Sequence, residues 1–133
     1  MLKKRYKLTG KDINFLFKKQ NIVHGKYFSF FWFYQYPNRK YNQFAFQVPL
    51  KLSKKATTRN FIKRQLFEYI KKKQYEKKTF NGGYYKVFIV FNKKTIAFLK
   101  ENVESEQKKL IKEQILDFFA FSFNNLNKFL GKR

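Results

Sequence analysis

The chain has 133 residues, 44% of them hydrophobic, and carries 31 Lys and Arg against 8 Asp and Glu, a formal net charge of +23. That length accommodates one modest core, so a single domain over 1–133 is expected, and the lack of cysteine excludes disulfides and thiolate metal sites. The excess charge repels itself in a compact state and asks for a polyanionic partner, nucleic acid ahead of an anionic membrane surface.

The longest apolar run, near 28–34, falls far short of the roughly 18 residues that span a bilayer. The basic opening MLKKRYKLTGKD has no apolar stretch behind it, so no secretory signal is read and cytoplasmic residence is expected. Aromatic residues make up 22% of the chain. Lys, Phe, Asn, Tyr and Ile are abundant together while Ala, Gly and Pro are scarce, the pattern of AT-rich codon usage, so most of the rings are assigned to the core and a minority to a binding surface.

In chain order, a basic segment at 2–7 leads to Thr9, an N-cap for a first helix reaching about Lys19, with Asp12 near its positive end. Ile13, Leu16 and Phe17 share one face of it, the stripe that packs on a sheet. Strands are expected at 20–23 and 26–35 around His24 and Gly25, where glycine permits positive φ. A turn at 36–40 follows, then a third strand at 43–48 ended by Pro49.

The stretch 51–73, KLSKKATTRNFIKRQLFEYIKKK, opens as a loop with Lys51, Lys54 and Lys55. Thr57 or Thr58 is the expected N-cap of a helix to about Lys73, whose buried stripe is Ile62, Leu66, Tyr69 and Ile70. Asn60, Lys63, Arg64, Phe67 and Lys71 fall within about a third of the helical circumference at roughly 100° per residue. That surface suits an anionic polymer, although a merely solvated lysine face has the same composition.

A lysine-rich linker then reaches Gly82 and Gly83, which read as a turn rather than a phosphate-cradling loop, since no Lys-Ser or Lys-Thr follows. A buried fourth strand is expected at 84–91, a short turn capped by Thr95 and ending near Leu99, and a last helix at 105–130. This helix turns Ile111, Ile115, Phe118, Phe119, Leu126 and Phe129 to the core and stops at Gly131. The element order is αβββαβα, an α+β sandwich with one sheet.

Protein-borne catalysis reads poorly. The single histidine, His24, has no Cys or acidic neighbour in sequence. Glu101, Glu104 and Glu106 are read as offsetting the dipole at the start of the last helix rather than holding a metal. No catalytic residue and no metal ligand is assigned, and no Ser-His-Asp, HExxH or Walker spacing occurs.

The order Ala56, Arg59, Asn60, Ile62, Lys63, Arg64, behind a strand and a lysine-bearing loop, resembles the signature of the bacterial ribonuclease P protein component. Lys3, Lys4, Arg5, Tyr6 and Leu8 resemble that family's opening, Phe17 and Lys18 with the segment 23–28 its first helix and hairpin, and Tyr84, Tyr85 and 87–90 its last strand. The third signature position, usually arginine, is Phe61; Lys54 and Lys55 replace a usual Gly-Asn; and an extra segment precedes the last helix.

The resemblance implies the fold of the second domain of ribosomal protein S5, with a left-handed βαβ crossover. It also implies an endoribonuclease subunit of tRNA 5′ maturation: the RNA subunit supplies the active site and holds Mg²⁺, and no small-molecule cofactor binds the protein. Partners are then the ribonuclease P RNA and the 5′ leader of precursor tRNA. RNA contacts would come from Lys51, Lys54, Lys55, Arg59, Asn60, Lys63, Arg64 and Lys71, with the N-terminal Lys3, Lys4 and Arg5. The leader cleft would hold Ile13, Phe17 and Phe31, flanked by Lys51 and Lys55.

Two other readings stay open at this point. A non-catalytic RNA-binding protein of ribosomal or ribosome-assembly type satisfies every electrostatic observation. A membrane-surface protein would need a continuous lysine face, whereas the last helix mixes Glu106, Lys108, Lys109, Lys112 and Glu113.

Overall fold

The computed structural model describes residues 2–126, 128 and 130. After a 3₁₀ turn at Lys4–Tyr6 come α1 (Gly10–Lys19), β1 (Ile22–His24), β2 (Phe28–Tyr34), β3 (Gln43–Gln47), α2 (Ala56–Lys73), β4 (Tyr85–Phe91), α3 (Lys93–Glu104) and α4 (Lys108–Leu126). The strands form one sheet in the order β1-β2-β4-β3, antiparallel except for the parallel pair β3 and β4 that α2 connects.

Strand alternation sorts the aromatic residues between two faces. Phe28, Phe30, Trp32, Phe44, Phe46, Tyr85, Val87 and Ile89 point to one side and meet Ile62, Leu66 and Ile70 of α2, Leu99 and Val103 of α3, and Ile111, Ile115, Phe119 and Phe123 of α4. On the opposite side Ala45 and Phe88 meet the buried Leu16 of α1, with Leu8, Ile13, Phe31, Phe33 and Val90 packed around them. β4 is sandwiched between the two layers, which is why its sequence is apolar at nearly every position. Fully burying Leu16 contributes about 1.5–3 kcal/mol to holding α1 down.

Local chemistry sets the element ends. Thr9 and Asp12 form a reciprocal capping box at the start of α1, as expected from sequence. Asn81 (φ 48°) and Gly82 (φ 79°) supply the two positive φ values of the tight turn before β4. Gly25 matters for a different reason from the one expected: its φ is not positive, but a Cβ there would sit 2.7 Å from the Phe28 carbonyl oxygen. The fully buried Asn42 knits the α2-to-β4 crossover, donating to the Tyr75 carbonyl at 2.8 Å and accepting from the Tyr85 amide at 2.7 Å.

Three expectations change. α2 begins at Ala56 with Lys55, not Thr57 or Thr58, as its N-cap and without a side-chain cap; the Ser53 hydroxyl accepts from the Lys55 amide at 3.2 Å, inside the loop that ends there. The short turn expected at Thr95 is the twelve-residue helix α3, and Thr95 is buried, donating to the Tyr27 carbonyl at 2.6 Å. α4 starts at Lys108, because Glu106 takes φ 56° and breaks the chain between two helices without Gly or Pro. Glu101 and Glu104 therefore end α3 instead of opening the last helix, where a dipole role would need them. The expected core side chains of Leu126 and Phe129 and the stop at Gly131 lie outside the described residues.

Candidate nucleic-acid interface

The helix α2 separates its roles by face. Ile62, Leu66 and Ile70 are fully buried, whereas Asn60, Arg64 and Lys71 are exposed and Lys63 and Phe67 half-buried beside them. Tyr69, expected in the same stripe, is half-buried against Phe119, 5.5 Å between ring centroids. Phe67 lies edge-on to Phe46 at 5.0 Å and carries the Lys7 ammonium 4.7 Å from its ring, so the N-terminal segment borders this face.

The signature positions do not all present themselves to solvent. The Arg59 guanidinium donates to the Ser53 carbonyl at 2.9 Å, so part of its donor fork fastens the loop at 49–55 to α2. Phe61 packs against the core layer and receives the Lys108 ammonium at 5.6 Å. The position where arginine is usual is thereby covered by α4.

Lys51, Lys54 and Lys55 are exposed and line a cavity of about 860 Å³ whose other wall is α3, with Lys93, Ile96, Ala97 and Lys100. Lys55 is ion-paired with Glu106; the Lys55 hydrogen bond and charge hold the Glu106 carboxyl below its usual range. Ile13, Phe17 and Phe31, in contrast, gather between α1 and the opposite face of the sheet. Phe17 is 41% exposed and lies edge-on to Phe31 at 4.9 Å and to Phe88 at 5.4 Å. Ile13, Phe17 and Phe31 are thus brought together, but Lys51 and Lys55 do not flank them and line the separate cavity: the loop that bears them leaves the end of β3 and faces α3.

Sequence reasoning missed further members of both sites. Phe15, 39% exposed, meets Phe33 at 5.3 Å, with Lys19 5.0 Å above Phe33; the alternation in β2 that pairs Phe31 with Phe33 was the signal available. Lys93 and Lys100 were hidden because α3 was read as a short turn. Lys3 and Lys4 are exposed and Arg5 stacks on Tyr41 at 5.0 Å.

His24 Nδ1 lies 3.3 Å from the Ser29 hydroxyl, which donates in turn to Asn92 at 2.8 Å. Among the described residues no three His, Cys, Asp or Glu side chains gather into a set able to hold a metal ion, and no helix is long and apolar enough to cross a membrane.

The family model of ribonuclease P matches residues 2–114. No match is found among curated proteins. Of solved structures, the RNase P protein from Thermotoga maritima aligns with a TM-score of 0.57 at 22% identity, covering 84% of this chain and 93% of that one. The same protein in complex with 1-(4-fluorophenyl)-2-thiourea aligns at 0.54 and 23% identity, covering 89% and 95%. These likenesses establish the shared α+β fold, and the family match over most of the length decides against a ribosomal type of RNA-binding protein. The chain belongs to the ribonuclease P family and is a protein subunit of that tRNA-processing ribonuclease.

Proposed function

We propose that this chain assists a catalytic RNA in removing the 5′ leader of precursor tRNA by metal-assisted phosphodiester hydrolysis, binding that RNA through α2 and the loop before it. The observation that carries the reading is the segregation on α2: a fully buried apolar stripe holds the helix to the sheet, leaving Asn60, Lys63, Arg64 and Lys71 on one accessible side. Lysines meet phosphates as point charges and read little sequence, which suits a subunit that serves many precursor tRNAs.

The leader is assigned to the cleft under α1, where Ile13 and Phe31 form an apolar floor and Phe17 offers a ring to a passing base. In this reading Mg²⁺ and the attack on phosphate belong to the RNA, and no step is routed through the protein. A chain of charge +23 lowers repulsion between two RNAs and thereby the Mg²⁺ needed for cleavage. Cytoplasmic residence goes with this reading.

The test is cleavage of 5′-labelled precursor tRNA by the cognate ribonuclease P RNA at low Mg²⁺. With the chain present, cleavage at the mature 5′ end should recover. RNA binding without any effect on cleavage across Mg²⁺ concentrations would overturn the reading.

A further inference from the structure

Away from the loop at 49–55, the N-terminal 3₁₀ turn, the start of α1 and the segment 36–41 enclose a cavity of about 560 Å³. Lys4, Arg5, Lys7, Lys11 and Arg39 line it, against Asp12 as the single lining carboxylate. Asp12 is already committed, since the buried Lys86 ammonium lies 2.9 Å from its Oδ1. The five lining cations therefore have no carboxylate among the cavity's other residues to balance them.

Arg5 and Arg39 are held in place, whereas Lys4 and Lys11 are exposed. Gln43, only 5% exposed, accepts from Arg39 Nη1 at 3.2 Å and donates to the Arg5 carbonyl at 2.9 Å, so one buried amide ties both segments to β3. The Arg39 guanidinium rests 4.9 Å from the Tyr36 ring centroid and that of Arg5 rests 5.0 Å from Tyr41. Tyr36 is also engaged by Lys86 at 4.0 Å, which makes it a support for cations rather than a platform for bases. Lys7 then reaches out of the cavity to Phe67, joining it to the basic face of α2.

Five cations lining one small cavity repel one another unless an anion completes it, and the guanidinium forks of Arg5 and Arg39, supported by Tyr41 and Tyr36, fit phosphate oxygens. We propose that this pocket is a second RNA site, taking the phosphodiester backbone of a strand that continues from the α2 face, with Lys7, Lys11 and Arg39 on successive phosphates. The proposal rests on the chain's being an RNA-binding subunit, and it extends that contact surface around the edge of β3.

The experiment titrates the full chain with a labelled oligouridylate across potassium chloride concentrations, and follows backbone amide NMR shifts of the wild-type chain. Lys11→Gln with Arg39→Gln should weaken binding about tenfold and flatten the log–log salt slope by about 1.4, two phosphates at about 0.7 each. Lys109→Gln with Lys112→Gln, removing equal charge from exposed positions of α4, should cost less than about threefold. The amides of Lys7, Lys11 and Arg39 should shift on adding the oligonucleotide to wild-type protein, a readout that no misfolded variant can confuse. Equal losses in the two double variants, or unmoved pocket amides, would overturn the proposal. So would inorganic pyrophosphate binding there as tightly as the strand, which would make it a free-anion site. Restored precursor cleavage with unmoved pocket amides sinks the pocket alone; a selective binding loss without restored cleavage sinks the proposed role in leader removal alone.

Discussion

Lys86 Nζ on β4 lies 2.9 Å from Asp12 Oδ1 on α1, and the two side chains are 2% and 17% exposed. One carboxylate thus closes the capping box of α1 and neutralises the buried lysine of the sheet's α1 face. The pair pins α1 across the sheet beside Leu16 and so fixes the cleft under Phe17. Asp12→Asn should destabilise the fold by about 3 kcal/mol, because an unpaired ammonium is left buried. Asp12→Asn with Lys86→Met should recover most of that loss, as an apolar replacement of both partners is often neutral. Urea denaturation of the three proteins checks this; a single variant as stable as wild type would show the pair to be incidental.

The same carboxylate predicts an acid limb. Burial pushes the Asp12 carboxyl up, but the Lys86 hydrogen bond, the Thr9 amide and hydroxyl bonds and the Lys86 charge outweigh it and hold the group below its usual 3.8. A depressed folded value gives stability that is present above 3.8 and lost as pH falls through the folded value. Wild-type denaturation midpoints should therefore drop on acidification below about 4, and Asp12→Asn should follow a flatter curve over that range. Parallel curves would assign the acid limb to other carboxylates.

The elements governed by local rules were legible in the sequence. Thr9 with Asp12 announced α1, and the stripe of Ile62, Leu66 and Ile70 announced α2, because capping and periodicity act within a few residues. What stayed hidden depended on distant partners. Thr95 looked like a cap because its hydroxyl is free to bond locally, yet it is spent on the Tyr27 carbonyl across the fold. Glu106 adopts a left-handed conformation that nothing in its neighbours signals, so the last helix was expected from 105 rather than from Lys108. Reading α3 as a short turn hid the wall that it builds beside Lys51 and Lys55, and the contact of Phe61 with Lys108 at the start of α4 depends on a partner distant in sequence.

If the α2 face meets the catalytic RNA, neutralising Lys63 and Arg64 should weaken binding about tenfold and lower the salt slope by about 1 for each phosphate left without its cation. Lys63→Gln with Arg64→Gln is the cleaner variant, because Arg59 also fastens Ser53 and its removal would loosen the loop. Filter binding over a salt series, against Lys109→Gln with Lys112→Gln, makes the comparison. Equal effects would mean that net charge alone governs affinity.

Phe17 should act on the leader and not on the mature tRNA. Its ring is exposed over Phe31 and Phe88, and losing a stacked base costs about 1–3 kcal/mol. Phe17→Ala is therefore expected to weaken holoenzyme binding of leader-bearing precursor by about fivefold to a hundredfold, with leaderless tRNA unchanged. A loss shared by both RNAs would place the effect in folding or in assembly with the catalytic RNA.

Phe119 tests whether α4 is part of the core, since it lies beyond the family match at 2–114. Its ring is fully buried, 4.5 Å from Phe123 and 5.5 Å from both Phe46 and Tyr69, so α4 touches β3 and α2 through one side chain. Phe119→Ala should cost about 3–5 kcal/mol, the usual range for emptying such a site. Leu110→Ala, on an exposed position of the same helix, should stay within about 0.5 kcal/mol. The two variants differ in burial but not in helix, so their denaturation midpoints separate packing from helix propensity. Because α2 rests on this packing, the Phe119→Ala protein should lose RNA binding only where it unfolds. If it unfolded at the same urea concentration as Leu110→Ala, α4 would be an appendage, and the basic face of α2 would be held by the sheet alone.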